Sequence, residues 1–273
     1  MDADAPGEYG DGQEFTRRRL LVLGGAGLAA TVSACGIWNH PAPPSARSAP
    51  PPASPTANPA PAPVEAPPPP VASAANPASG VILCRDAWGA KPPLPGGRPH
   101  TLDKMTVHHT AVVLGDNANA PARLRQHQSY HQNTQGWIDI AYHYSVDRNG
   151  NIYQLRDPNL AGDTATGYDT TGHFLVVLEG NFDEEQVTEE QLNGAARVFA
   201  WAAGQFGVPS STLEGHRDAS PGTSCPGATL YEHVTSGDLR SRIDSLLAAG
   251  PVDLQTICGP EAAEMVATIE SGG

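Results

Sequence analysis

The residues able to do chemistry are few and fall in short stretches. His108 and His109 adjoin in KMTVHHTAVV (104–113), and Tyr142 opens AYHYSVDRNGNIYQL (141–155). His216 and Cys225 share GHRDASPGTSCPG (215–227), with small and turn-forming residues between them. Zinc takes imidazole nitrogen and thiolate sulfur, and a catalytic zinc keeps three protein ligands and one open position. Two histidines and one cysteine meet that need. Spacing alone does not single this out. Cys225 reads equally as half of a disulfide or a spare core thiol, and the histidines as core residues.

Such residues need elements that bring them together. KMTVHHTAVV is β-rich and reads as a buried strand. Strand neighbours point to opposite faces, so only one of His108 and His109 can face a given cleft. A short strand-like TLE (212–214) leads into the loop of His216 and Cys225. Asn119-Ala120-Pro121 opens a helix to about His131. Alternation on both sides of Asn149-Gly150 predicts a hairpin, and FLVVL (174–178) a central strand. Thr188-Glu189-Glu190-Gln191 is a capping box. Leu192, Ala195, Phe199, Ala202 and Phe206 then line one helical face, which Gly207 can end. A last helix is expected from Ser236, carrying Leu239, Ile243, Leu246 and Leu247. Interleaved strands and helices give an α/β class, a mixed central β-sheet flanked by helices in one domain over 80–249. Residues 250–273 read as a C-terminal tail without a clear pattern.

The rest of the chain is of another kind. With 29 Asp+Glu against 16 Lys+Arg and a formal charge of −13, nucleic acid is excluded as a partner. TRRRLLVLGGAGLAATVSACG (16–36) places arginines before an apolar run too short to span a bilayer permanently. It resembles a twin-arginine export signal, and Val32-Ser33-Ala34-Cys35 resembles a bacterial lipobox. Residues 1–35 are therefore expected to be an export signal, with lipidation at Cys35. Residues 36–79, rich in Pro and Ala and without an aromatic residue from 41 onward, are expected to be a disordered tether. The expected location is the cell envelope, extracytoplasmic and lipid-anchored to the membrane.

Five stretches occur in order: AWGAKPP (87–93), TVHHTA (106–111), GWIDIAYHYSVDRNGNIYQLRD (136–157), LEGNF (178–182) and GHRDASPGTSCPG. Together they resemble the type 2 N-acetylmuramoyl-L-alanine amidase family, which includes the peptidoglycan recognition proteins, over about 82–248. The resemblance implies a Zn2+ site held by His108, His216 and Cys225, with Tyr142 at the family's catalytic tyrosine. Thr223 falls where some members carry lysine and recognition-type members threonine, and is expected to donate to a developing oxyanion. The implied reaction is hydrolysis of the amide between the lactyl group of N-acetylmuramic acid and L-alanine in peptidoglycan. The alternative is an envelope lipoprotein that binds peptidoglycan without cutting it; members of that kind typically lose the cysteine ligand. The segment AGDTATGYDTTGHF (161–174) departs from the family in lacking the histidine that many members have near its GY pair, with Asp163 or Thr164 there instead, which leaves the substrate contacts of this loop open.

The same resemblance bears on specificity. Gly136-Trp137 with Arg156 implies a meso-diaminopimelate stem, Arg156 gripping the extra carboxylate. His131 is a further substrate-binding candidate; His109 and His143 are expected to be structural, and Trp88 core. With Cys35 assigned to lipid and Cys225 to metal, Cys84 and Cys258 remain, and in an exported chain they are expected to pair. The protein is expected to act as a monomer.

Overall fold

The computed structural model describes residues 80–273. The expected export signal, the expected lipidation at Cys35 and the expected tether lie outside the described residues. Seven strands form one sheet: β1 (Val81–Leu83), β2 (Lys104–His109), β3 (Tyr144–Val146), β4 (Ile152–Gln154), β5 (His173–Leu178), β6 (Leu213–Gly215) and β7 (Gln255–Ile257), in the order β6-β2-β5-β3-β4-β1-β7. β2, β3, β5 and β6 run one way, and β4, β1 and β7 the other; β3 and β4 are the antiparallel pair. The expected mixed sheet is therefore present, and the hairpin turns at Asn149-Gly150. β2 stops at His109, short of the expected 113.

Helices cover both faces, because most of the long strands are apolar on both sides. On one side α2 (Glu189–Phe206) packs over β3 and β5 and against α5 (Asp238–Ala249). Met105, Val107, Phe174, Val176 and Leu178 face Leu192, Ala195, Phe199 and Ile243 there. Each fully buried Leu, Ile or Phe contributes about 1.5–3 kcal/mol. The capping box of α2 is formed: Thr188 Oγ1 accepts from Gln191 N–H at 3.1 Å, and Gln191 Oε1 accepts from Thr188 N–H at 3.3 Å. Gly207 ends the helix in the left-handed region, at φ 70°. α5 begins at Asp238 rather than Ser236, after a left-handed Gly237.

On the other side lie α1 (Ala120–Asn133) and α6 (Gly259–Glu270), which are in contact. Here the tail expectation is overturned. β7 adds to the sheet beside β1, and α6 buries Ala262, Val266 and Ile269 against Leu83, Trp88, Leu124 and Tyr153. Residues 250–273 thus complete a second core. The expected disulfide is present: Cys84 and Cys258 are bonded, with Cα atoms 5.4 Å apart, inside the usual range.

Candidate metal centre

The sheet register explains why His108 and His216 meet. β2 and β6 pair in parallel with Val107 opposite Gly215. One step further along each strand lie His108 and His216, the latter opening the short helix α3 (His216–Ala219). Their ring centroids are 4.7 Å apart. The loop after α3 returns Cys225 to the same place. Arg217 N–H donates to Cys225 O at 2.9 Å, and Cys225 N–H donates to Thr223 Oγ1 at 3.1 Å. Gly227 permits the close return: at φ 88°, an added Cβ would lie 2.7 Å from the Phe182 backbone and 2.8 Å from His109 Nδ1.

One ligand atom from each of His108, His216 and Cys225 lies within 4.8 Å of the others, and all three residues are buried. His108 Nδ1 and Cys225 Sγ are 3.6 Å apart. Two ligands on a tetrahedral zinc, at about 2.0 Å for nitrogen and 2.3 Å for sulfur, would be separated by about that much. His216 Nε2 is hydrogen-bonded to Thr166 Oγ1 at 2.8 Å, which leaves Nδ1 as its ligand atom. The donor set and spacing therefore fit a zinc ion.

Burial sets the protonation of the trio. It holds His108 well below the ordinary imidazole value, His216 adding to the effect, and brings His216 to about 4. Both rings are thus neutral, as metal ligation requires. Burial also pushes the Cys225 thiol up to about 12.

The trio forms one wall of a cleft of about 270 Å³, whose lining includes Tyr142, His131, Trp137, Thr223 and Asp163. The Tyr142 ring lies 5.0 Å from that of His108, and burial raises its hydroxyl above the ordinary phenol value. His131 comes from α1; its Nδ1 accepts from Ala141 N–H at 3.2 Å and its ring is 4.7 Å from Trp137. Thr223 Oγ1 accepts one bond from Cys225 N–H, which leaves its own proton to donate. A larger hollow of about 400 Å³, beside α6 and lined by Asn149, Asn151, Glu261 and Met265 among others, contains no histidine or cysteine. Donor chemistry, not volume, picks out the site.

His109 turns to the other side, where its Nδ1 accepts from Phe182 N–H at 3.3 Å. His143 is fully buried between Leu175 N–H and Leu160 O, both at 3.0 Å. Arg156 is not where a ligand-gripping arginine was expected. Its side chain is buried and does not line the cleft. The guanidinium instead donates to Asp139 O, Ile140 O, Ala161 O and Asp163 Oδ2, bracing the backbone that leads into Tyr142. Thr166 was not singled out from sequence, and Asp163 was noted only as standing near the position of the family's missing histidine. Both lie in the 161–174 segment, whose composition gives no sign of what it touches.

Residues 98–228, which contain His108, Tyr142, His216 and Cys225, match the family described as N-acetylmuramoyl-L-alanine amidase. A human N-acetylmuramoyl-L-alanine amidase is 35% identical over 55% of this chain, which spans only 26% of that relative's length. Peptidoglycan-recognition protein SD of Drosophila simulans is 31% identical over 55% of this chain and 82% of its own. Among solved structures, peptidoglycan recognition protein-LE in complex with tracheal cytotoxin, a monomeric diaminopimelic acid-type peptidoglycan, superposes with a TM-score of 0.53. It is 29% identical, over 58% of this chain and 94% of that one.

Proposed function

Because the chain belongs to the family of N-acetylmuramoyl-L-alanine amidases and peptidoglycan-recognition proteins, we propose that it is a zinc-dependent amidase. It hydrolyses the bond between the lactyl group of N-acetylmuramic acid and L-alanine in peptidoglycan. The observation that carries this is the convergence of His108, His216 and Cys225 beside Tyr142. A cleft that only bound glycopeptide would have no use for a buried thiol aligned with two neutral imidazoles.

A bound zinc supplies an activated water and polarises the scissile carbonyl. The chain's own residues do the rest. Tyr142, held protonated by burial, donates a hydrogen bond to the oxygen on which charge develops. Thr223 offers a second donor from the loop that carries Cys225. Trp137 and His131 form an aromatic wall for the glycopeptide. Arg156 keeps the Tyr142 strand entry fixed. We further place the protein in the cell envelope, outside the cytoplasm, anchored by lipid on Cys35.

The test is metal analysis combined with mass spectrometry of digested sacculi. The expected result is one zinc per chain and release of free stem peptides, both lost in Cys225→Ala. Peptidoglycan binding without release of stem peptides would favour the binding module instead. Full activity in a metal-free Cys225→Ala protein would overturn the zinc mechanism.

A further inference from the structure

The GHRD stretch contains two charged residues, Arg217 and Asp218, that the proposed chemistry does not use. Both belong to a brace behind the metal centre. Arg217 directly follows His216, and its side chain reaches the far end of the loop that carries Cys225. Nε donates to Cys225 O at 3.4 Å and Nη2 donates to Ser224 O, so one edge of the guanidinium bridges two successive carbonyls. The Arg217 backbone N–H donates to the same Cys225 O at 2.9 Å. The residue beside one candidate ligand is thereby bonded to the backbone of another. Asp183 also holds this loop, accepting from Ser224 Oγ at 2.9 Å and from Ala228 N–H at 2.8 Å. That contact ties the loop to the connection between β5 and α2, whereas Arg217 ties it to His216.

The guanidinium is itself backed. Its carbon lies 4.3 Å from the ring centroid of Tyr231, on α4 (Ala228–Thr235), a distance at which a cation is attracted to an aromatic face. The Tyr231 hydroxyl donates to Asp218 Oδ1 at 2.6 Å, and Asp218 Oδ2 accepts from Gly215 N–H at 2.8 Å. The contacts thus run from Gly215, just before His216, through Asp218, Tyr231 and Arg217 to Cys225. The ring of contacts is tight: a Cβ on Gly215 would lie 2.9 Å from Pro226 Cδ and 3.1 Å from Tyr231 Cδ2. Neither Arg217 nor Tyr231 lines the cleft, so they act on the site through the loop rather than on a ligand. Zinc ligands must stand within about 0.2 Å of their usual distances. A loop free to shift by more than that would move the Cys225 sulfur, and with it Thr223 Oγ1, which accepts from Cys225 N–H.

We propose that Arg217 is a positioning residue of the metal centre: its guanidinium fork, backed by Tyr231, fixes residues 223–225 against His216 and so sets where the Cys225 sulfur stands relative to the imidazoles. This rests on the zinc reading of His108, His216 and Cys225. The planar fork is what the role requires. A lysine ammonium keeps the charge, but as a point charge it does not bridge two carbonyls while lying flat on a ring.

The experiment measures zinc affinity by chelator competition in the full chain, together with the absorption spectrum of the cobalt-substituted protein, whose thiolate-to-metal band reports the Cys225 sulfur directly. Arg217→Met, which keeps an apolar stem, and Arg217→Lys are each expected to lower zinc affinity about 10- to 100-fold and to weaken or shift the thiolate band. Tyr231→Leu, which leaves Arg217 in place and removes its support, is expected to change both readouts in the same direction by less. Unaltered affinity and an unaltered band in Arg217→Met, even with a lower melting temperature, would show a merely structural role and overturn the proposal. Full recovery in Arg217→Lys would overturn it too, since charge alone would then suffice. If Arg217→Met does not fold, Tyr231→Leu decides by the same two readouts, its ring being only half-buried. If the unmodified protein takes up neither zinc nor cobalt, the metal reading itself fails, and that outcome is distinct from equal affinities among the variants.

Discussion

His216 has its two fellow candidate ligands, His108 and Cys225, on one side and Thr166 on the other. The hydroxyl of Thr166 fixes which nitrogen of the ring faces the cleft, at 2.8 Å from Nε2. Thr166→Val is expected to weaken zinc binding about 10- to 100-fold, as loss of a ligand's supporting hydrogen bond does elsewhere. Thr166→Ser should restore it; chelator competition reads both, and equal affinities in all three proteins would refute the assignment. A second residue-scale expectation concerns Glu179. It is fully buried, Ser145 Oγ donates to its Oε1 at 2.7 Å, and burial raises its carboxyl to about 8. A raised folded value means that the folded protein holds this proton more tightly than the unfolded chain. The resulting stability is complete below the ordinary value of 4.5 and is lost as pH rises to about 8, at most about 1.4 kcal/mol per pH unit. Melting curves of the unmodified protein should therefore fall more steeply over that window than those of Glu179→Gln; parallel curves would show that the group does not titrate there. The ligand trio was legible in sequence because His108, His216 and Cys225 sit inside recognisable stretches. Thr166 was not, since nothing local announces a partner 50 positions away. Arg156 lies deeper than was legible, because a sequence shows charge but not its depth.

The elements tell a similar story. The α2 helix was readable to its caps, because its start and stop are written in local hydrogen-bonding residues and a glycine. β7 and α6 were missed for different reasons. Three residues of strand are too few for alternation to show. The α6 pattern, with Pro260 in its first turn and Ala262, Met265, Val266 and Ile269 on one face, was present but weakened by Gly259, Ala263 and Ala267 around it. Both are held to the sheet by Cys84–Cys258, which closes a loop spanning 174 positions. In the chain-entropy account such a closure is worth on the order of 3–5 kcal/mol. The double variant Cys84→Ala, Cys258→Ala is expected to lose stability of that order in denaturant titration, while keeping its zinc content. An unchanged midpoint would mean that the packing of α6 alone secures this end of the domain.

At the scale of the whole molecule, the proposed anchor decides where catalysis happens. Cys35→Ala is expected to move the protein from the membrane to the soluble extracytoplasmic fraction, since anchoring by a multiply acylated cysteine is firm where a single chain is marginal. Unchanged fractionation would rule out the lipid. The position of β1 then acquires a mechanical meaning. β1 is flanked on both sides by parallel partners, β4 and β7, and lies four places from β2 in the sheet order. Any pull through the residues before Gly80 enters the domain along β1. It loads both neighbouring ladders in shear rather than peeling one strand away. Just beyond the strand, Cys84 passes the remaining tension into Cys258 through a covalent bond. The force is borne at one end of the sheet, and the strand that carries His108 stays out of its path.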